Sequence, residues 1–356
     1  MSGNEGGSGD SLPGPRGCPG KLSEHYDAAL LDLDGTVYLS GSAIPGAADA
    51  LAEAAKHGMR LAFVTNNASR TPHAIAAQLT GMGIAATVTD IITSAQAAAH
   101  LIADRFPAGS PVLVSGGMGL RLAVRQRGLR PVTTAADKPV AVVQGYAPDL
   151  TYGLLAEAAL AIQGGAWFVA SNADTTLPSK RGPQPGNGSL VQLLVTATGH
   201  HPVVAGKPEP PLHAESVERV GAKRPLAVGD RLDTDIEGAV RGGADSLLVL
   251  TGVTQPADVL LAPRECRPTY LAADLSGLNA SQPEVTRSDR AFGCGGWTAV
   301  VGDNHRLTVS GSGSRLDGLR ALCAAAWSGD DQDGQLGDDR ARQQAQELVR
   351  QVGFVS

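Results

Sequence analysis

One pattern constrains this chain more than any other: a short apolar run stops at a carboxylate, hydroxyl or glycine, and helical spacing follows. Residues 26–33 (YDAALLDL) read as a strand covered on both faces, because the strands of parallel sheets lie under helices on each side and lose the apolar–polar alternation. Residues 45–57 place Ala47, Ala50, Leu51, Ala54 and Ala55 on one helical face, and Gly58 stops the run. Residues 60–65 (RLAFVT) form the next strand, and Thr71-Pro72 opens a helix to about residue 82. The same reading gives strands at 111–115, 141–144, 166–170, 225–228 and 246–250. It gives helices at 119–127, 150–163, 190–198 and from 236 to 241. Alternation of this kind predicts an α/β fold with a doubly wound, Rossmann-like parallel sheet.

The length of 356 residues suggests two or three domains. Formal net charge is −6, which disfavours nucleic acid as a partner, since neutralising phosphates needs a basic surface. No apolar stretch is long enough to cross a bilayer, so no membrane partner is expected. The four cysteines, Cys18, Cys266, Cys294 and Cys323, lack zinc spacing and suit a reducing cytoplasm. Residues 1–22 begin rich in Gly, Pro and Ser and read as a disordered leader. Residues 276–290 read as a polar linker. Beyond it lie two strands, 297–301 and 306–310, around Gly302-Asp303-Asn304, then a helix at 316–327, a loose stretch at 328–339 and a last helix at about 338–352.

Four clusters carry chemistry, each at a predicted strand end or in a loop. They are Asp32-Leu33-Asp34-Gly35-Thr36, Val64-Thr65-Asn66-Asn67, Gly206-Lys207-Pro208, and Gly229-Asp230 followed by Asp233 and Asp235. Each has an ordinary reading alone: a turn, a helix cap, a solvated lysine, a surface turn. Together and in this order they supply a nucleophile, a phosphate-holding hydroxyl, a fixed cation and an oxygen-rich metal site, which is what phosphoryl transfer requires. In open α/β sheets ligands bind outside the carboxyl ends of the strands. The spacing of Asp32 and Asp34 along an extended segment turns both carboxylates to one side. Ser115-Gly116-Gly117-Met118-Gly119 lacks a nucleotide-binding pattern, and His200, His201 and His213 have no metal-like pairing. Gly311-Ser312-Gly313-Ser314 precedes a helix and could hold an anion there.

The motifs DLDGTVY (32–38), TNN (65–67), GKPEP (206–210) and GDRLDTDI (229–236) resemble the four motifs of the haloacid dehalogenase superfamily of phosphatases. SNADTTLP (171–178) and PGNGSLV (185–191) narrow the resemblance to the type IIA branch, which carries a large α/β cap. That branch includes NagD-type, 4-nitrophenylphosphatase-like, phosphoglycolate and glycerol-3-phosphate phosphatases, and the likeness spans about 24–275. It implies a core built from 23–94 and 202–280, a C2-type cap at 95–201 and a small α+β appendage at 281–356. The appendage is similar to a fragment of a GNAT acetyltransferase but lacks the usual basic residue and glycine spacing.

The resemblance implies Asp32 as nucleophile, Asp34 as acid and base, and Lys207 as the charge that offsets Asp32 and the phosphoryl group. Thr65 and Asn66 would bind phosphate. Mg²⁺ would be held by Asp32, Asp34 and Asp230, with Asp235 and more weakly Asp233 behind them, and Asn172 and Asp174 of the cap would face substrate. The expected activity is Mg²⁺-dependent hydrolysis of a small phosphorylated metabolite through an aspartyl-phosphate, with glycerol 3-phosphate as substrate. Phosphoglycolate, a sugar phosphate or a nucleoside monophosphate are the alternatives, and a phosphotransferase or a phospho-signalling receiver the readings from other classes. A homodimer through the cap is a further expectation.

Overall fold

A computed structural model describes residues 14–177, 181–303, 306–329 and 339–354. In chain order the main strands are β1 (Ala28–Leu31), β2 (Arg60–Thr65), β3 (Ile91–Thr93), β4 (Pro111–Ser115), β5 (Arg130–Val132), β6 (Ala141–Gln144), β7 (Trp167–Ala170), β8 (Val203–Val204), β9 (Pro225–Gly229), β10 (Asp245–Val249), β11 (Tyr270–Ala272), β12 (Thr286–Ser288), β13 (Ala291–Cys294), β14 (Trp297–Val301) and β15 (Leu307–Gly311).

Six of them form one parallel sheet in the order β11-β10-β9-β1-β2-β3. Every residue of β1 is buried, as its unbroken apolar run requires. The register sets Leu31 opposite both Phe63 and Val228, so the ends of β1, β2 and β9 emerge together. The chain winds from β1 out to β3 and later restarts at β9 on the other flank of β1. Strand order reverses there, and a reversal of this kind opens a crevice at the carboxyl edge.

A second parallel sheet, β8-β7-β6-β4-β5, takes its strands from between β3 and β9. Helix Ser94–Arg105 lies between the two sheets. Its Ala95, Ala98 and Ile102 join one apolar cluster with Leu30 and Val64 of the first sheet and Val114 and Val143 of the second. A polar junction reinforces the contact. Glu215, on helix Pro210–Val220, is buried and accepts from Arg127 at 2.9 Å, with His100 and Arg219 also on its carboxylate.

The fold class expected from the alternation is the one observed. The leader differs from expectation in its described part: Cys18 exchanges backbone hydrogen bonds with Gln282 at 2.8 Å, and Leu22 is fully buried in helix Leu22–His25. Residues 1–13 lie outside the described residues. The expected linker is also structured. Leu278, Gln282 and Val285 are buried, and β12 starts an antiparallel sheet β12-β13-β14-β15. Phe292, Leu319, Leu322 and Trp327 of this last unit share a cluster with Leu248 and Leu271 of the first sheet and with Ile236 of the turn after β9. No helix of the described residues is long and apolar enough to cross a membrane.

Candidate active site

Three neighbouring strand ends and one loop converge at the carboxyl edge of the six-stranded sheet. Asp32 follows β1, and its backbone N–H donates to Val228 O at 2.8 Å. Thr65 ends β2, Asp230 follows β9, and Lys207 sits between β8 and helix Pro210–Val220. The Lys207 Nζ donates to Asp32 Oδ1 at 2.5 Å, to Asp235 Oδ1 at 2.7 Å and to the Val64 carbonyl at 3.3 Å. Asp230 is fully buried and receives the Val253 N–H on Oδ2 at 2.7 Å and the Thr36 hydroxyl on Oδ1 at 3.4 Å. Carboxylate oxygens of Asp32, Asp230 and Asp235 lie within 4.8 Å of one another.

Glycines make this proximity possible. Gly35 has φ +88°, and a Cβ there would lie 2.5 Å from Asp230 Oδ2; a Cβ at Gly252 would also strike the Asp230 carboxylate.

Three carboxylates surround one ammonium, and the charges do not balance. Burial pushes the Asp32 carboxyl well up, with Lys207 opposing and Asp235 and Asp230 adding to the rise. Burial, then the neighbouring Asp235, lifts Asp230 to about 6. Burial works against the charged form of Lys207, yet Asp235 and Asp32 outweigh it and the ammonium is held above its ordinary range. A compact, oxygen-only, over-acidic donor set fits a hard divalent cation such as Mg²⁺.

Asp34 stands at the exposed mouth of this cluster. Burial of its carboxyl against neighbouring protein raises its pKa, opposed by a hydrogen bond from Tyr38 and the charges of Arg70 and Lys207. Thr65 is buried, and its Oγ1 accepts from Asn67 N–H at 3.1 Å, which leaves the hydroxyl hydrogen free to donate elsewhere.

Some expected residues have other roles. Asp233 is not in the acidic cluster: its side chain is 66% exposed and lies in a fork of Arg231, at 2.7 and 3.1 Å. The turn Leu232–Ile236 sends Asp235 inward and leaves Asp233 outside. Asn172 is buried and bonded within the protein, donating to Asn66 O at 2.7 Å and to Ser171 Oγ at 3.5 Å and accepting from Asp174 N–H at 3.2 Å. The Asn66 side chain is likewise committed. It accepts from Lys207 N–H at 2.8 Å and donates to Lys207 O at 3.1 Å and to both Asp174 oxygens at 3.3 Å. Asn66 therefore ties together the lysine loop, β2 and the segment after β7. Asp174 is half-buried, and burial raises its carboxyl against the Asn66 bond and the charges of Arg231 and Lys207. Sequence reasoning missed the bracketing role of Asn66 and the contacts of Thr36, Tyr38 and Val253. Thr36 and Tyr38 lie within DLDGTVY, while nothing in the sequence marked Val253.

Two sequence profiles match the chain, separated by residues 131–203. A haloacid dehalogenase-like hydrolase profile covers residues 29–130, which hold Asp32, Asp34 and Thr65. A HAD-hydrolase-like profile covers 204–278, which hold Lys207, Asp230 and Asp235. The chain is 42% identical over 337 residues to D-glycerol 3-phosphate phosphatase of Mycobacterium tuberculosis, covering 90% of this chain and 93% of that protein. The chain belongs to the haloacid dehalogenase-like hydrolase family. A crystal structure of glycerol phosphate phosphatase from Mycobacterium tuberculosis in complex with magnesium superposes with a TM-score of 0.82 at 43% identity, covering 92% of this chain and 99% of that one. Acid sugar phosphatase of Staphylococcus saprophyticus is 36% identical over 255 residues, 71% of this chain and 96% of that protein. A GCN5-related N-acetyltransferase like profile matches 294–353, within the last sheet and its helices. Among haloacid dehalogenase-like hydrolases this chain is a phosphatase, as its relatives are named.

Proposed function

We propose that this chain hydrolyses glycerol 3-phosphate in a Mg²⁺-dependent reaction through a phosphoenzyme on Asp32. The observation that carries the reading is the Lys207 ammonium shared between Asp32 and Asp235, beside Asp230, where three strand ends meet. The carboxylates of Asp32 and Asp230 and the main-chain carbonyl of Asp34 would hold Mg²⁺, with Asp235 supporting from behind. Bound there, Mg²⁺ supplies positive charge that stabilises the equatorial phosphoryl oxygens.

The chain's own groups account for the remaining steps. A carboxylate oxygen of Asp32 attacks phosphorus; the Asp32–phosphorus bond forms as the bond to the leaving oxygen breaks. Lys207 offsets the charge that Asp32 and the phosphoryl group bring together. Thr65 and the main-chain amide of Asn66 hold phosphoryl oxygens. Asp34, whose raised pKa favours the protonated form, gives its proton to the departing glycerol oxygen. As carboxylate it then takes a proton from the water that attacks phosphorus, which releases phosphate and restores Asp32. Asp174, held over the lysine loop by Asn66, faces the polyol hydroxyls.

The segments 23–94 and 202–280 act as the catalytic core, 95–201 as a cap that excludes water, and 281–356 as a structural appendage. Four buried, unpaired cysteines support a cytoplasmic location, and a homodimer through the cap is the proposed assembly. The likeness to acid sugar phosphatase favours sugar phosphates as the second reading.

The test is phosphate release from glycerol 3-phosphate, 2-phosphoglycolate, hexose phosphates and nucleoside monophosphates, with Mg²⁺ and with chelator. Glycerol 3-phosphate should give the highest kcat/KM, and chelation should abolish release. A hexose phosphate turned over more efficiently would move the assignment to the second reading.

A further inference from the structure

Tyr38 sits beneath the mouth of the site, 7% exposed, with its hydroxyl donating to Asp34 Oδ2 at 3.2 Å. Its place is fixed by the backbone. Tyr38 N–H donates to Leu33 O at 3.1 Å, and its carbonyl accepts from Gly35 N–H at 2.8 Å, so the turn carrying Asp34 closes on Tyr38. A two-residue hairpin, Tyr38–Leu39 against Ser42–Ala43, follows. Its turn residues Ser40 and Gly41 have φ of 52° and 87°, the positive angles that tight hairpins need.

We propose that Tyr38 is a positioning residue that fixes which oxygen of Asp34 carries the catalytic proton. A neutral carboxyl group has one carbonyl oxygen, which accepts, and one hydroxyl oxygen, which donates. With Tyr38 donating to Oδ2, that oxygen is the acceptor, and the proton resides on Oδ1. In the transfer, the Oδ1–H bond breaks as the leaving alkoxide oxygen takes the proton, and the electron pair stays on a carboxylate whose Oδ2 keeps the tyrosine bond. The inference rests on the reading of Asp34 as the acid for a poor leaving group.

Leaving-group dependence tests it, because glycerol must be protonated on departure and 4-nitrophenolate need not be. The ratio kcat/KM reports the half-reaction that expels the alcohol, without the common hydrolysis of the phosphoenzyme. Tyr38→Phe should lower kcat/KM about tenfold for glycerol 3-phosphate and less than about twofold for 4-nitrophenyl phosphate, a fraction of what general acid catalysis commonly contributes. An equal loss on both substrates, the signature of a merely structural ring, would overturn the proposal, as would no loss on either. Asp34→Asn, assayed in parallel, must show the same selectivity with a larger loss. If it does not, the acid assignment itself fails; if it does and Tyr38→Phe does not, only the role of Tyr38 fails. Should Tyr38→Phe not fold by circular dichroism, a ring-fluorinated tyrosine at position 38 keeps the shape and alters the hydroxyl's donor strength. It should change the ratio of the two kcat/KM values, and an unchanged ratio would overturn the proposal.

Discussion

The four clusters that meet at the sheet edge were legible at the residue scale through their order along an α/β pattern, since each alone reads as a turn, a cap or a solvated lysine. Their partners were not, since hydrogen bonds such as Val253 N–H to Asp230 join residues 23 positions apart, with a helix and strand β10 between them. The charges of the site lead to two predictions. Lys207→Ala removes the ammonium between Asp32 and Asp235 and should reduce kcat by at least ~100-fold, given the size of preorganised electrostatic stabilisation. The Asp230 carboxyl, lifted to about 6, must lose its proton to bind a cation. Protons therefore compete with Mg²⁺ below that pH, and affinity rises with pH through 6 and then levels. Competition at Asp230 alone gives Mg²⁺ affinity at least about tenfold weaker at pH 5 than at pH 7.5, readable by calorimetric titration. Gly35→Ala places a methyl against the Asp230 carboxylate at positive φ and should destabilise the fold by ~1–3 kcal/mol while abolishing turnover, checked by denaturant melts.

Among the elements, sequence reading succeeded where an apolar run was long enough to register and failed where packing overrode periodicity. Helix Ser94–Arg105 escaped because it is buried on several sides and rich in alanine, so only the narrow stripe of Gln96, His100 and Asp104 marks its period. Strands β3, β5 and β11 have three residues each and β8 has two, too short for any pattern. Helix Pro210–Val220 begins with two prolines, which suit its first turn but read as loop. That helix anchors Lys207 at its N-terminal side and Glu215 at its centre. Glu215 gathers Arg127, Arg219 and His100 from three helical segments, and its partners remain partly exposed. Glu215→Ala should cost ~2 kcal/mol of stability, below the full cost of breaking a buried pair because solvent still reaches its three partners. Equal denaturation midpoints for the variant and the parent would show that the junction contributes nothing.

For the whole molecule, the sequence separated the last seventy residues from the rest, and the structure shows what composition could not: they share an apolar cluster with the catalytic sheet. Arg320, 5% exposed, donates to Leu271 O at 2.6 Å across that boundary and to Gln282 Oε1 at 2.8 Å on its own side of it. A chain ending at residue 280 should melt at a lower temperature and bind a hydrophobic dye, because Leu248 and Leu271 would lose their cover. The site's hydrogen bonds lie between residues 32 and 254, so its surviving folded fraction should retain turnover. The proposed reaction rests on one encounter, that of the carboxylate after β1 with a phosphorus atom. Acid quenching during turnover of phosphate-labelled glycerol 3-phosphate, followed by peptide mapping, tests it most directly. The account predicts label on the peptide containing Asp32 and none in Asp32→Asn. Turnover with the label on another peptide, or undiminished turnover by Asp32→Asn, would contradict it.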